Sequence, residues 1–178
     1  ERLNTILQEY MNPRSSEKKE KEYGNGLFRE GDKVMQIKNN YQIEWEIRGA
    51  YGIPVEKGVG VFNGDMGIVK EINTYAEQMT VAFDDNKYIE YSFKELEQLE
   101  LAYAITIHKS QGSEYPVVVM PVMMTHYIML QRNLIYTGIT RAKKVLVIVG
   151  TKKAVSYAVK HVTVTKRNTK LKERLKEY

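Results

Sequence analysis

Near residue 100 the residue pattern changes, and no single fold class accommodates both sides of the change. Upstream, 67–72, 79–83 and 87–92 are short β-prone runs, separated by breaks at 73–78 and at Asp84-Asp85-Asn86. Short strands joined by tight turns predict a small SH3-like β-barrel. Downstream, apolar runs at 102–107, 117–122 and 145–150 alternate with helical patterns over 126–141 and 152–160. That alternation predicts a parallel sheet with helices on both faces. The class expected is α/β, interrupted by an all-β insert.

Toward the amino terminus, Leu3, Ile6, Leu7, Tyr10 and Met11 fall at helical spacing, and Pro13 marks the stop. The mixed charges of 14–22 predict a solvated, mobile loop. Gly31-Asp32 turns into a strand-like stretch at 33–38. Gly49, Gly52, Pro54, Gly58 and Gly60 predict irregular structure over 41–60. The tail from Thr165 is basic and polar and is expected to fray. The domain division expected is 1–42, an insertion over 43–100, and 101–178.

Composition excludes several classes. Apolar residues make up 43%, enough for a core, and there is no cysteine for disulfides, thiolate metal sites or a cysteine nucleophile. Lysine and arginine number 27 against 22 acids, a net charge of +5 that is compatible with a polyanionic partner. The longest apolar run, near 115–125, is too short for a membrane span and holds Pro116 and Pro121. No basic-then-apolar leader opens the chain, so a soluble, intracellular protein is expected. The chain begins with Glu1 rather than Met, and a piece of a longer polypeptide is expected.

Two segments carry candidate chemistry. The first, Thr106-Ile107-His108-Lys109-Ser110-Gln111-Gly112-Ser113-Glu114, lies at the carboxyl end of a predicted buried strand. That edge is where open α/β sheets bind ligands, and clustered polar side chains with a glycine suit phosphate or ribose. A plain strand-to-helix loop, with His108 capping or packing, explains the same residues. The second is Leu134-Ile135-Tyr136-Thr137-Gly138-Ile139-Thr140-Arg141-Ala142-Lys143-Lys144. On a helical wheel Arg141 falls between Leu130 and Leu134, inside the apolar arc. An inward charge is costly unless paired, so its partner is either a protein carboxylate or a phosphate met across a domain boundary. Lys143 and Lys144, at the expected helix end, need no function. Thr80-Val81-Ala82-Phe83-Asp84-Asp85 imitates a strand ending in magnesium-binding acids, but a hairpin turn explains every residue. Nowhere does Gly-x-x-x-x-Gly-Lys-Ser/Thr occur, so the usual cradle for a triphosphate is missing from this sequence.

Together these residues resemble the carboxy-terminal motor domain of superfamily 1 helicases, in the RecD-like branch that includes the exodeoxyribonuclease V alpha subunit. The segment 102–115 resembles helicase motif V, and 133–142 resembles motif VI. Gly31-Asp32-Lys33-Val34-Met35-Gln36 and Asn63-Gly64-Asp65-Met66-Gly67 are similar to further segments of the branch, and 3–13 is a weaker match to its motif IV region. The resemblance implies a RecA-like second motor domain carrying an SH3-like insertion. It implies that Arg141 contacts the γ-phosphate of ATP. Gly112 and Glu114 would line the nucleotide side, with Glu114 near the ribose. Thr106, His108, Lys109 and Ser110 would face single-stranded DNA. ATP and Mg2+ would be held mainly by an amino-terminal motor domain of the same polypeptide, and translocation would run 5′ to 3′. The resemblance admits other nuclease or helicase subunits as partners and places the activity on DNA in a prokaryotic cytoplasm. The rival is a non-catalytic SH3-like module binding nucleic acid or protein, supported by Tyr75, Phe83, Tyr88, Tyr91 and Phe93. A self-sufficient NTPase is disfavoured by the missing phosphate cradle.

Overall fold

The helical spacing at the amino terminus forms α1 (Arg2–Met11), yet the face it buries is polar. Asn4 and Gln8 are buried, whereas Leu3, Ile6, Tyr10 and Met11 are exposed. For Gln8 the cause is Asp32, fully buried beyond the helix. Its Oδ1 accepts from Asn12 Nδ2 at 2.7 Å and from the Tyr103 hydroxyl at 2.9 Å. Its Oδ2 accepts from Gln8 Nε2 and, at 2.7 Å, from the Arg29 backbone N–H. A buried carboxylate persists only when its oxygens are hydrogen-bonded, and amides four residues apart share the helix face that reaches it. This is a computed structural model describing residues 2–24 and 26–162. The expected frayed tail from Thr165 lies outside the described residues.

The charged stretch is not wholly a solvated loop. Its end is β1 (Glu20–Tyr23), antiparallel to β2 (Gly26–Arg29). Arg29 is 1% exposed and donates from Nε to Glu20 Oε1 at 2.7 Å, from Nη2 to Glu9 at 3.3 Å, and from Nη1 to the Asn12 carbonyl. Burial works against this guanidinium, and Glu20 and Glu9 more than offset it, holding its pKa above the ordinary arginine value.

The remaining strands of this unit are β3 (Lys33–Gln36), β4 (Asn40–Arg48), β5 (Pro54–Val61), β6 (Met66–Asn73), β7 (Gln78–Phe83), β8 (Lys87–Ser92) and β9 (Leu99–Leu101). They make one seven-stranded sheet in the order β5-β4-β8-β7-β6-β3-β9, with every recorded pair antiparallel. Met79, Val81 and Phe83 of β7 alternate inward and meet Ile89 and Tyr91 of β8 in one cluster with Val34, Val61, Val69, Ile72 and Leu99. The turn reading of Asp84–Asn86 holds, because one 3-10 turn there joins β7 to β8.

Two expectations are corrected. The span 41–60 is a hairpin, since β4 and β5 pair from Asn40↔Val61 to Arg48↔Pro54. Its glycines do more than loosen the chain. A Cβ on Gly58 would lie 2.3 Å from Trp45 Cζ2, so the missing side chain admits the indole of the paired strand. Nor does the apolar run 102–107 continue as a strand; β9 ends at Leu101. Asn4 claims the backbone beyond it, donating from Nδ2 to the Leu101 and Ala104 carbonyls and accepting the Ala104 N–H at 2.6 Å.

The chain divides into two compact units, Glu1–Thr106 and Ile107–Tyr178. In the second, β10 (Tyr115–Val122) pairs in parallel with β11 (Ala142–Gly150), α2 (Arg132–Ile139) connects them, and α3 (Lys152–Lys160) follows. Met120, Val122, Leu130, Ile135, Ala154 and Ala158 form its core. The helix expected over 126–141 is shorter. A 3-10 turn at Met124–His126 and overlapping bonds from Leu130 N–H to the His126 and Tyr127 carbonyls precede it. Gly138 lets α2 approach β10, for a Cβ there would sit 2.6 Å from Met120 Sδ. No described helix is long and apolar enough to cross a membrane.

Candidate functional site

The segment after Ile107 is a run of tight turns. Ser110 N–H donates to the Ile107 carbonyl at 3.3 Å, Gln111 N–H to His108 at 3.2 Å, and Ser113 N–H to Ser110 at 3.2 Å. The Ser110 side chain is buried, and its hydroxyl donates to the Ile107 carbonyl at 2.7 Å. Gly112 has φ +87, a left-handed conformation that favours glycine, with open space where a Cβ would stand. His108 and Glu114 are exposed and Lys109 is half-buried. Thr106, exposed, is the last residue of the first unit.

Arg141 does not lie within the helix, as the wheel assumed. α2 ends at Ile139, where the Thr140 hydroxyl donates to the Thr137 carbonyl at 2.9 Å and Arg141 N–H to the Gly138 carbonyl at 3.2 Å. Arg141 therefore occupies the junction between α2 and β11, half-buried. Its guanidinium donates from Nη1 to the Ser113 carbonyl at 3.0 Å, from Nη2 to Thr140 Oγ1 at 3.2 Å and from Nε to the Thr137 carbonyl at 3.3 Å. All three acceptors are neutral, and no carboxylate pairs with it among the described residues. A fork of donors held in this way keeps its full charge for an anion, which is the chemistry a phosphate requires.

The structure thus joins two of the predicted segments. Tyr115 N–H donates to the Arg141 carbonyl at 2.8 Å, and Lys143 Nζ lies 3.2 Å from Glu114 Oε2. Gly112, Ser113 and Glu114 are thereby brought to Arg141 within one unit. Sequence reasoning missed two features. Lys143 is the second residue of β11 rather than the end of a helix, and no local signal announces that. The Asp32 centre was signalled by Asn4, Gln8 and Asn12, a polar row at four-residue spacing.

Comparison with known proteins adds independent findings. Residues 3–83 match a family profile described as the SH3 domain of ATP-dependent RecD-like DNA helicases, and residues 101–149 match the UvrD-like helicase C-terminal domain. The ATP-dependent RecD2 DNA helicase of Deinococcus radiodurans is 35% identical over 153 residues, covering 86% of this chain and 19% of that protein. The RecBCD enzyme subunit RecD of Buchnera aphidicola subsp. Schizaphis graminum is 28% identical over 150 residues, covering 84% of this chain and 22% of that protein. The chain spans about a fifth of the length of these curated relatives. A crystal structure of the Pif1 helicase from Bacteroides, in complex with ADP-AlF3 and single-stranded DNA, matches in fold. Its TM-score is 0.55 at 16% identity, covering 99% of this chain and 42% of that one.

Proposed function

Because the chain belongs to the RecD-like DNA helicases, matching their SH3 domain and the UvrD-like C-terminal domain, we propose that it is the carboxy-terminal part of an ATP-dependent, 5′-to-3′ translocase on single-stranded DNA. The second unit is read as part of a RecA-like parallel sheet and 43–100 as an SH3-like barrel inserted into it.

Arg141 is the residue that acts on the nucleotide. The observation that carries this is its guanidinium, ordered by three neutral oxygens and charge-balanced by none. ATP supplies a polyanionic chain whose terminal phosphoryl group is transferred to water. An amino-terminal motor domain beyond this chain would hold most of it, together with Mg2+. Arg141 reaches the γ-phosphate and stabilises the charge that develops there. Glu114, an acceptor beside it, takes the ribose side, and Gly112 gives the loop its left-handed turn. A γ-phosphate that attracts Arg141 favours a closed arrangement of the two motor domains, and its loss removes that differential contact. Thr106, His108 and Lys109 face the DNA, with Ser110 holding the loop that presents them. The grip is electrostatic, so it weakens with salt and ignores sequence.

The test is ATP turnover and single-strand binding by the complete protein carrying Arg141→Ala. Lost turnover with binding retained is the expected result, and unchanged turnover rejects the reading.

A further inference from the structure

Strand pairing beside Arg141 contains an irregularity. Tyr115 is opposite Ala142, but Val117 is opposite Val145, so two steps along β10 match three along β11. One extra residue therefore sits in β11 at the Lys143-Lys144 pair. Such a bulge breaks the alternation of side chains and re-aims one of them, a device found beside functional sites. At this irregularity Lys143 Nζ lies 3.2 Å from Glu114 Oε2. The same few residues are tied twice more, by Arg141 Nη1 to the Ser113 carbonyl and by Tyr115 N–H to the Arg141 carbonyl. Backbone on both sides of Glu114 is thus fixed to Arg141, and its side chain is fixed by Lys143.

We propose that Lys143 is a positioning residue for nucleotide recognition: its ion pair with Glu114 Oε2 sets the carboxylate so that Oε1 accepts from a ribose hydroxyl. This rests on the reading of Glu114 and Arg141 given above. A carboxylate on a flexible side chain has several rotamers, and a cation on one oxygen selects among them before the sugar arrives. The recognition is of the sugar, so Lys143 separates ribonucleotides from deoxyribonucleotides without reading the base. Both side chains are 57% exposed, which keeps the effect modest.

The experiment is calorimetric titration of the complete protein with ADP, 2′-deoxy-ADP and 3′-deoxy-ADP, in the parent and in Lys143→Met, Lys143→Arg, Glu114→Gln and the Lys143→Met/Glu114→Gln double variant. Lys143→Met should lower the preference for ADP over the discriminated deoxy form by roughly two- to fivefold. Lys143→Arg should preserve that preference, and Lys143→Met should have no further effect on it once Glu114→Gln is present. Equal weakening of all three nucleotides would overturn the proposal, because Lys143 would then act on the phosphates. So would an effect that survives Glu114→Gln, or an unchanged preference in Lys143→Met. Failure of the underlying reading looks different: the parent would show no ribose preference, or Arg141→Ala would leave turnover intact.

Discussion

The Arg141 guanidinium donates to the carbonyl oxygen of Ser113 at 3.0 Å, across 28 residues of sequence. One side chain thereby joins the two segments that carry the candidate chemistry. Its other acceptors, Thr140 Oγ1 and the Thr137 carbonyl, are also uncharged.

Substitution of Arg141 should therefore separate chemistry from folding. In the complete protein, Arg141→Ala should lower ATP turnover by about 10³-fold or more, with single-strand affinity within a few-fold of the parent. Arg141→Lys should recover little, since one ammonium cannot reproduce a planar fork of donors. Thermal unfolding of each variant beside the parent keeps the comparison honest. A collapse in stability equal to the loss of turnover would assign Arg141 a structural role instead.

Asp32 should behave as the opposite kind of residue, one whose loss is read in folding stability. Asp32→Ala strands four donors, from Gln8, Asn12, Arg29 and Tyr103. The expected cost is about 3–5 kcal/mol, read as a shift in the urea midpoint. A cost below about 1 kcal/mol would mean that water replaces the carboxylate freely.

Alkaline pH should loosen the same centre. Burial, with Asp32 beside it, raises the Tyr103 hydroxyl from 10.0 to about 12, and burial also pushes the Tyr91 hydroxyl up. The folded state then keeps a proton that the unfolded chain surrenders first. Stability from these groups is complete below the unfolded value and falls as pH rises through the folded one. Urea midpoints followed from about pH 9 to 12 should decline less steeply in Tyr103→Phe than in the parent. Parallel declines would dissociate Tyr103 from the effect.

The β4–β5 hairpin offers an optical test. Trp45 is the single tryptophan, and Lys87 Nζ lies 5.0 Å from its ring centroid. A methyl group on Gly58 would meet that ring at 2.3 Å. Gly58→Ala should cost about 1–3 kcal/mol and move Trp45 emission to longer wavelength as the indole is displaced. Unchanged emission would show that the strands part without moving the ring.

What was legible in the sequence is what local pattern encodes. β6, β7 and β8 were placed to within about a residue, because alternation and turn chemistry are properties of neighbouring residues. The pairing of β4 with β5 was not, since Gly58 reads as a breaker until Trp45 is seen across the ladder. The wheel that put Arg141 in an apolar arc failed because α2 ends two residues earlier, at a junction set by Thr137 and Thr140. The family resemblance singled out Arg141, Gly112 and Glu114, and the structure brings Ser113 and Arg141 of those two segments into contact. The contact of Lys143 with Glu114 was invisible, because a bulge belongs to two strands at once.

A helix resting on hydrocarbon can slip by a turn and still cover oil; α1 cannot. Asn4, Gln8 and Asn12 run short, long, short, and each meets partners anchored elsewhere in the unit: the backbone of Leu101 and Ala104, the Leu27 carbonyl, the Asp32 carboxylate. Displaced one turn, glutamine would meet the lock cut for asparagine. The seat works as a key, admitting this helix at a single depth and angle, and the outward row of Leu3, Ile6 and Tyr10 inherits that setting.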